Sequence, residues 1–327
     1  MERTEMRIRR HVLTALVIAW WLPLPPASAQ EYPTRPIRML VGFAPGGTSD
    51  IMARILAPKL TERFQQQIVV DNRAGAGSMI ASDIAAKAAP DGYTVVMISL
   101  SHAINAGLHK KLPYDSQRDF AGVALVATAP LVLVVHNGLP AKSVSELVDL
   151  ARSKQQQLNY GSSGIGGSSH LAAELLRSLA KIELTHVPYK GATPALVDLM
   201  SGQLHLLFPS LPTALPHIKS GRVRAIGVTS AKRAAALPDV PAIGEAVPGY
   251  EATNWYALLA PSRTPKRIID KLNAATVEVV RSEDVSKAIV RQGGDPMPST
   301  PAECERYLKA EIAKWKTVIQ KAGIRPE

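Results

Sequence analysis

From Pro36 onward, short apolar runs alternate with stretches of helical periodicity. Residues 37–41, 68–70 and 94–98 are apolar runs too short for helices, and turn residues flank them. Between them lie an amphipathic segment at 52–60 and the small-residue segment AGAGSMIASDIAAKA. Strands that alternate with helices predict a βαβαβ unit, in which helices cover both faces of a parallel sheet.

The same alternation begins again near Leu131. Apolar runs at LVLVV, LNY, LTHVPY, LHLLFP and VRAIGV alternate with segments that have helical spacing. Ser143 and Glu146 form a capping box at the start of one helix, and Thr300 with Pro301 begins the last helix. The chain then crosses back near 252–260. The pattern predicts a second α/β unit, again with a mainly parallel sheet flanked by helices.

A glycine-rich loop ends a strand and begins a helix in each unit. VGFAPGGTSD at 41–50 and LNYGSSGIGGSSH at 158–170 both lead into a helix whose first turn carries hydroxyl groups. A helix N-terminus has unpaired N–H groups and about half a positive charge, and glycine lets a ligand approach them closely. In open α/β sheets such loops lie at the carboxyl ends of strands, where ligands bind. The two loops together predict a clamp for a small anion.

Other uses of a glycine loop conflict with the spacing. A P-loop requires a lysine that the segment from Gly42 to Thr48 lacks. The dinucleotide fingerprint Gly-x-Gly-x-x-Gly fails because Gly164-Ile165-Gly166 is followed by Gly167-Ser168-Ser169. YGSSGIGG does not place a serine in the Gly-x-Ser-x-Gly spacing of a hydrolase. His170 lies beside these serines without a third orienting group, so a helix-surface position or a hydrogen-bonding role is expected rather than catalysis.

The histidines form no His-x-x-x-His pair accompanied by carboxylates, which argues against a metal site. No enzyme activity, catalytic residue or cofactor is therefore predicted. Asp50 and Arg54 are spaced as an i, i+4 pair. Two interpretations remain open for them, an ion pair on the helix surface or a carboxylate that accepts loop N–H groups near the helix start.

The first 29 residues have the pattern of a signal peptide. Four arginines precede the apolar run HVLTALVIAWWLPLPP, and Ala27-Ser28-Ala29 forms a small-residue cleavage site. Prolines interrupt the run, which argues against a retained membrane anchor. Cleavage after Ala29 and a periplasmic location are expected, whereas Arg9-Arg10 leaves the choice between Sec and twin-arginine export open.

The charge balance excludes one class of partner and favours another. Removal of four basic and two acidic residues with the signal peptide leaves 34 Lys and Arg against 25 Asp and Glu, a net charge of +9. Only 5% of residues are aromatic and no basic block is interleaved with them, so nucleic acid is not an expected partner. A positive field favours the capture of anions. Cys304 is the only cysteine, so no internal disulfide can form.

Several ordered motifs give the chain a family resemblance. They are FAPGGTSD, DNRAGAGSMIA, PDGYTVVM, SHAIN, NYGSSGIGGSSHLAAELL, HVPYKGATPALVDLMSGQLHLLF and WYALLAPSRTP. Together they resemble the Bug family, the extracytoplasmic solute receptors of bacterial tripartite tricarboxylate transporters. The resemblance implies a two-lobed periplasmic binding protein of the Venus flytrap type, with residues 30–128 and 255–327 in lobe 1, residues 129–254 in lobe 2, and the ligand cleft between them.

The resemblance also implies the ligand-binding residues. In the first lobe they are Phe43, Ala44, Pro45, Gly46, Gly47, Thr48 and Asp50, joined by Ser99 and Ser101 after the third strand. In the second lobe they are Ser162, Ser163, Gly164, Ile165, Gly166, Gly167 and Ser168. Asn105 is a further candidate for the cleft, and Thr253, Asn254 and Trp255 are candidates for the hinge or the rim. Asp198 is expected to have a scaffolding role, while the roles of Tyr189 and Phe208 stay open.

The expected function is capture of a small organic acid by closure of the two lobes, without chemistry, for delivery to membrane subunits of a tripartite tricarboxylate transporter. A monomer is expected. A periplasmic sensor that serves a membrane signalling protein is the main alternative, and an exported enzyme is a second one. The sequence does not indicate which carboxylate binds, because selectivity depends on side chains at the far end of the pocket.

Overall fold

The computed structural model describes residues 32–153, 157–321 and 324 of the chain. The predicted signal peptide, residues 1–29, lies outside this part. The described residues from Arg35 onward form a compact unit. Within the described residues, no helix combines the length and apolar character needed to cross a membrane.

The described chain alternates strands with helices. The strands are β1 (Ile37–Val41), β2 (Ile68–Asn72), β3 (Thr94–Ser99), β4 (Phe120–Pro130), β5 (Val132–Val135), β6 (Asn159–Ser162), β7 (Thr185–Pro188), β8 (Leu206–Leu207), β9 (Arg224–Val228), β10 (Thr253–Pro261) and β11 (Asp295–Pro296). The helices are α1 (Thr48–Phe64), α2 (Met79–Ala86), α3 (Leu100–Leu108), α4 (Val144–Ser153), α5 (Ser168–Ala180), α6 (Ala192–Met200), α7 (Leu211–Lys219), α8 (Ile243–Ala246), α9 (Lys266–Arg281), α10 (Glu283–Arg291) and α11 (Pro301–Lys321). A short 3-10 turn at Ala76–Ser78 precedes α2.

Two sheets define two lobes. Among the described residues, the first lobe contains a six-stranded sheet in the order β11-β4-β10-β3-β1-β2, and the second contains a five-stranded sheet in the order β7-β6-β8-β5-β9. Helices flank both sheets; for example, α11 packs on α3 and β4 in the first lobe. The prediction of a two-lobed α/β fold is confirmed.

Both sheets are mixed, so parallel pairing is less dominant than expected. In the first lobe β1 is parallel to β2 and β3, whereas β10 is antiparallel to β3 and β4. In the second lobe β6 is parallel to β7 and β8, whereas β5 is antiparallel to β8 and β9. The antiparallel pairings come from β4, β5, β9 and β10, the strands that lead the chain from one lobe to the other and back.

The two crossings between the lobes run side by side. The first passes through Leu131, between β4 and β5, and the second lies between β9 and β10. Buried Thr229 joins them: its hydroxyl accepts the N–H of Leu131 at 2.9 Å, and its carbonyl accepts the N–H of Ala252 at 2.9 Å. The lobe boundaries at residues 128 and 254 stay a prediction. The crossings at Leu131 and Thr229 are the places where the chain passes from one sheet to the other.

Candidate ligand-binding site

The two glycine loops fold into the same turn. Gly46 has a φ of +78° and Gly166 a φ of +75°, a region that favours glycine. Gly47 (φ −73°, ψ 158°) and Gly167 (φ −70°, ψ 154°) follow them as the N-caps of α1 and α5. The resemblance between the two sequence segments is therefore a resemblance of backbone conformation as well.

The side chain four residues after each positive-φ glycine holds the turn. Gly46 N–H donates to Asp50 Oδ2 at 2.9 Å, and Gly166 N–H donates to His170 Nδ1 at 3.3 Å. Both acceptors are buried in the first turn of their helices. Each junction thus uses one side chain of its own helix to fix the loop that precedes it.

Asp50 fixes the first loop and also forms an ion pair with Arg54, whose side chain is 55% exposed. Its carboxylate also accepts hydrogen bonds from Arg54 Nε at 2.9 Å and Asn72 Nδ2 at 3.0 Å, and only 2% of the residue is exposed. Burial acts to raise the pKa of Asp50, but the bonds from Arg54, Gly46 N–H and Asn72 outweigh it, so the pKa lies below 3.8. Both interpretations left open apply in part: Asp50 and Arg54 form the i, i+4 ion pair, but the Asp50 carboxylate is buried and also accepts the loop N–H of Gly46.

His170 is buried, so the expected helix-surface position is wrong and the hydrogen-bonding alternative applies. Its ring stacks on His186 at a centroid distance of 4.4 Å, and His186 Nε2 lies 2.6 Å from the hydroxyl of Ser162. Burial lowers the pKa of His170 to about 3, with a further contribution from His186, Arg177 and His109. A neutral imidazole is what the bond from Gly166 N–H requires, because only an unprotonated Nδ1 accepts.

A small cavity lies between the lobes, where five helices of the described chain begin. The N-cap or first residue of each helix lines it: Thr48 for α1, Ser99 for α3, Ser168 for α5, Ala192 for α6 and Ser210 for α7. In none of these five helices does the side chain of the N-cap residue form a capping hydrogen bond. The positive ends of five helix dipoles therefore converge on one space, which is the arrangement that binds anions.

The cavity lining supplies neutral hydrogen-bonding groups. These are Thr48, Ser49, Ser99, Ser163, Ser168, Ser169, Ser210, Thr213, Asn254 and Tyr256, and the remaining lining residues are Phe43, Gly47, Ala192, Phe208 and Pro209. No Asp, Glu, Lys, Arg or His of the described chain belongs to this lining. Hydroxyl and N–H donors suffice for a carboxylate, because hydrogen bonds to a charged acceptor are strong.

Asn254 connects the two lobes at the wall of the cavity. Its Oδ1 accepts the N–H of Leu100 at 3.1 Å, at the start of α3 in the first lobe. Its Nδ2 lies 3.2 Å from the hydroxyl of Ser168 and 3.1 Å from that of Ser210, both at helix starts of the second lobe. Tyr256 contributes its hydroxyl to the same group, 2.9 Å from Asn254 Nδ2, and burial raises its pKa.

Direct hydrogen bonds also join the lobes across the cavity. Thr48 Oγ1 lies 2.8 Å from Thr213 Oγ1, and the N–H of Ser168 donates to Ser101 Oγ at 3.1 Å. The cavity volume is about 30 Å³. At roughly 10–15 Å³ per water molecule, this is room for about two waters. The lobes are therefore close together in this conformation.

One lining hydroxyl has no hydrogen-bond partner within the described part of the chain. Ser99 Oγ is buried, and Ser99 is only 2% exposed. Buried polar groups are nearly always paired, so an unpaired hydroxyl in the wall of a cavity calls for a partner from outside the chain.

The family profile described as "Tripartite tricarboxylate transporter family receptor" matches residues 52–324. The chain belongs to this receptor family. The receptor is 36% identical to the protein BugT of Bordetella pertussis over 303 residues, covering 92% of this chain and 93% of BugT. The predicted relationship to the Bug proteins is confirmed, and the family consists of periplasmic substrate receptors rather than enzymes.

Two solved structures share the receptor's fold. A structure of R. palustris Rpa4515 with adipate has a TM-score of 0.88 and 38% identity, covering 91% of this chain and 100% of that one. A structure of MatC from Rhodopseudomonas palustris with bound malate has a TM-score of 0.84 and 33% identity, covering 88% of this chain and 100% of that one. Both neighbours were thus solved with a dicarboxylate.

The structure brings only part of the predicted site to the cavity of the receptor. The predicted residues that line it are Phe43, Gly47, Thr48, Ser99, Ser163 and Ser168. The other predicted residues do not belong to its lining: Ala44, Pro45, Gly46, Asp50, Ser101, Ser162, Gly164, Ile165, Gly166 and Gly167. Ala44 N–H donates to the carbonyl of Lys190 at 3.3 Å, and the Pro45 carbonyl accepts from Thr193 Oγ1 at 3.2 Å. These two residues contact the opposite lobe at the rim.

The second-lobe loop is packed tightly against the first lobe. A Cβ added to Gly77 would lie 2.2 Å from the carbonyl oxygen of Ile165, and one added to Gly166 would lie 2.0 Å from Asn105 Oδ1. Asn105 Nδ2 in turn donates to the carbonyl of Gly77 at 2.9 Å. Asn105 therefore supports the contact between the lobes and does not line the cavity, contrary to its candidacy for the cleft.

The remaining candidates separate into structural and lining residues. The Tyr189 hydroxyl donates to Asp198 Oδ2 at 2.6 Å, and burial with the neighbouring carboxylate raises the pKa of Tyr189 to about 12. Trp255 Nε1 donates to Glu311 Oε2 at 2.9 Å in the first-lobe interior. Phe208 is fully buried and lines the cavity. Ser210, Thr213 and Tyr256 line it too, although sequence reasoning had not singled them out.

Proposed function

We propose that this receptor captures a small carboxylate between its lobes in the periplasm, after export and removal of residues 1–29. The convergence of five helix N-termini of the described chain on a cavity with neutral lining carries this proposal. A site of this kind attracts an anion without a cationic side chain. The adipate and malate of the two solved neighbours support a carboxylate as its chemical class.

In the proposed complex, the ligand carboxylate accepts hydrogen bonds from helix N-termini and hydroxyls of both lobes. Thr48 and Ser99 contribute from the first lobe, and Ser163 and Ser168 from the second. The predicted loop glycines support these groups by keeping the turns tight. Asn254 contributes its amide from the strand that joins the lobes. The side chains of Phe43 and Phe208 provide apolar contacts for the carbon skeleton.

Ligand entry requires the lobes to separate. A cavity of about 30 Å³ is far smaller than a dicarboxylate, and hydrogen bonds such as Thr48–Thr213 close its sides. We therefore include hinge motion about the crossings at Leu131 and Thr229 in the proposal, in the manner of domain closure around ligands. The closed receptor, acting as a monomer, then delivers its ligand to a transporter of the tripartite tricarboxylate type.

Thermal unfolding of residues 30–327 against a panel of organic acids tests the proposal. Adipate and malate head the panel, and sugars and metal ions serve as controls. A ligand that binds only the folded state adds about 2.7 kcal/mol to stability at a hundredfold excess over Kd. A stabilisation confined to carboxylates is expected. A response to a neutral solute or a cation, with none to any carboxylate, would contradict the proposal.

A further inference from the structure

Histidines of both lobes meet at the glycine loop of the second lobe. His109 ends α3 in the first lobe, and α3 packs on α5, the helix that the loop precedes. A Cβ added to Gly166 would lie 3.5 Å from His109 Nε2, so this nitrogen lies against the loop. On the second-lobe side, His170 accepts the Gly166 N–H and stacks on His186. The loop is therefore in contact with imidazoles of both lobes, and the contact with His109 exists only while the lobes are together.

The contact between the lobes leaves polar atoms of α3 without partners. Within the described residues, His109 Nε2 is buried and has no hydrogen bond, and the same holds for Asn105 Oδ1, one turn earlier on the helix. Buried polar atoms are nearly always paired, so two unpaired ones at a single contact are costly. Separation of the lobes removes the glycine loop from both atoms and lets water reach them.

The charged groups around His109 do not favour a positive charge on its ring. Burial lowers the pKa of His109, and no neighbouring carboxylate offsets this effect. Asp115 shares a first-lobe cavity with His109, but its Oδ1 already accepts two backbone N–H groups. In the second lobe, Glu174 is held by Arg177 and the Tyr160 hydroxyl. The other ionisable groups that face the histidines or lie beside the end of α3 are Lys110, Tyr114, Arg118 and Lys316.

We propose that His109 makes lobe closure pH-dependent, because protonation of its imidazole favours the open receptor and so weakens carboxylate binding. This inference rests on the proposed function, in which the lobes separate to admit a ligand. In the closed form an added proton places a charge against the Gly166 loop, beside two other imidazoles and without a counter-ion. In the open form water hydrates the ring, which then titrates near its ordinary pKa of about 6.5. The closed form binds fewer protons, so acid shifts the equilibrium toward the open form.

The pH dependence of carboxylate affinity tests the proposal. Isothermal titration calorimetry at pH 7.5 and 5.5, at fixed ionic strength, uses the carboxylate that stabilises the receptor most in the thermal panel. Affinity should fall by up to about tenfold between the two pH values, because an imidazole with a pKa near 6.5 is about one-tenth protonated at the first and about nine-tenths at the second. In His109→Gln the ratio of the two affinities should shrink by the same factor. Titration of the ligand itself is common to both proteins and cancels from the comparison.

His217→Gln is the matched control. His217 lies on α7 of the second lobe, and burial lowers its pKa as it does that of His109, but it lines neither cavity. This variant should keep the wild-type ratio of affinities. A packing defect in His109→Gln would lower affinity at both pH values and leave their ratio unchanged, so the ratio reports the charge. A wild-type ratio in His109→Gln, or an equal loss of pH dependence in both variants, would overturn the proposal.

An NMR titration of the His109 imidazole gives an independent result. Its pKa should be lower in the receptor saturated with carboxylate than in the free receptor, because closure buries the ring. A direct effect of the bound anion has the opposite sign, since a nearby negative charge raises the pKa of a histidine. An equal or higher pKa in the complex would therefore refute the proposal.

Failure of the proposed function gives a different result from failure of this inference. If no carboxylate binds to the wild-type receptor at pH 7.5, the proposed function is wrong and this inference with it. If carboxylates bind with the same ratio of affinities in the wild type and His109→Gln, the proposed function stands and the role of His109 alone is refuted.

Discussion

Asp50 and His170 occupy equivalent positions in the two lobes, each accepting the N–H of a positive-φ glycine four residues before it. One acceptor is a carboxylate held by Arg54 and Asn72, and the other is a neutral imidazole stacked on His186. The same turn is therefore maintained by two groups whose ordinary pKa values differ, 3.8 for the carboxyl group and 6.5 for the imidazole. The two lobes should respond differently to acid for this reason.

We expect the free energy of unfolding to fall between pH 6.5 and about 4.5 because of buried histidines. Burial lowers the pKa of His170 to about 3 and that of His102 to about 4, whereas both titrate near 6.5 in the unfolded chain. The unfolded state therefore binds more protons below pH 6.5, and each histidine costs up to about 1.4 kcal/mol per pH unit. Urea unfolding at pH 7.5, 6.5, 5.5 and 4.5 measures this slope.

Two variants at the equivalent positions separate the causes. His170→Gln keeps an acceptor for Gly166 N–H and should flatten the slope. Asp50→Asn should lower stability by a similar amount at each of these pH values, because the pKa of Asp50 lies below 3.8 and its contribution is lost only in stronger acid. A flatter slope with Asp50→Asn and an unchanged slope with His170→Gln would refute this explanation.

Gly166→Ala should lower both stability and carboxylate affinity. An added Cβ would lie 2.0 Å from Asn105 Oδ1 at a φ of +75°, so strain and a clash between the lobes combine. Gly221→Ala is the matched control, because Gly221 has a φ of +69° with no atom within 4 Å of the added Cβ. It should cost only the left-handed strain, about 1–2 kcal/mol. Equal unfolding and affinity data for the two variants would show that the clash is unimportant.

Ser99→Ala should weaken carboxylate binding with little loss of stability. The Ser99 hydroxyl has no partner in the described chain, so its removal breaks no bond there. A hydrogen bond to a charged ligand contributes about 1.5–3 kcal/mol, and its loss lowers affinity by roughly ten- to 150-fold. Ser101→Ala offers the contrast, because Ser101 Oγ accepts the N–H of Ser168 and its loss should destabilise the contact between the lobes. Titration calorimetry with the carboxylate that stabilises the receptor most in the thermal panel measures this affinity. Wild-type affinity in Ser99→Ala would exclude this serine from the site.

Asn254→Asp should reduce carboxylate affinity by at least about tenfold at pH 7. The substitution keeps an acceptor for the Leu100 N–H, but it places a negative charge beside the bound anion. The Ser168 and Ser210 hydroxyls can turn to donate to the new carboxylate, so the fold should survive.

Asn273→Asp provides the comparison for Asn254→Asp. Asn273 donates to the carbonyls of Val123 and Ser299, away from the cavity, so its replacement should affect stability alone. The comparison of binding isotherms and urea midpoints is decisive. An Asn254→Asp protein with wild-type affinity would mean that this amide lies outside the ligand's reach.

Sequence reasoning found the glycine loops because their signal is local. In Val41–Asp50 and Leu158–His170 the strand end, the turn and the helix start are contiguous, so the backbone conformation follows from neighbouring residues. Ser210 and Thr213 reach the same cavity from a distant segment. The available signal was the order Ser210-Leu211-Pro212, a hydroxyl followed by a proline in the first helical turn. For Asn254 and Tyr256 the sequence offers a different signal. They are two polar residues, two positions apart, on one face of an otherwise apolar strand.

The sequence predicts where the strands lie better than it predicts whether neighbouring strands pair in a parallel or an antiparallel manner. The run from Phe120 to Val135 is apolar almost throughout, and Pro130, the last residue of β4, is the main signal that one strand ends before β5 begins. Nothing within such a run tells whether its partner is parallel or antiparallel. The pairing of β10 with both β3 and β4 joins segments more than a hundred residues apart, and long-range packing decides it.

The neutral lining of the cavity between the lobes also affects how a bound ligand would dissociate. An anion held by a buried lysine or arginine leaves an uncompensated charge behind when it departs, which costs several kcal/mol. Hydroxyls and helix N-termini leave only dipoles, and water can replace the departing carboxylate among them. If the proposed function holds, a site built in this way has a low barrier to release, and we expect the residence time of its ligand to depend on how long the lobes stay together rather than on the strength of any one contact.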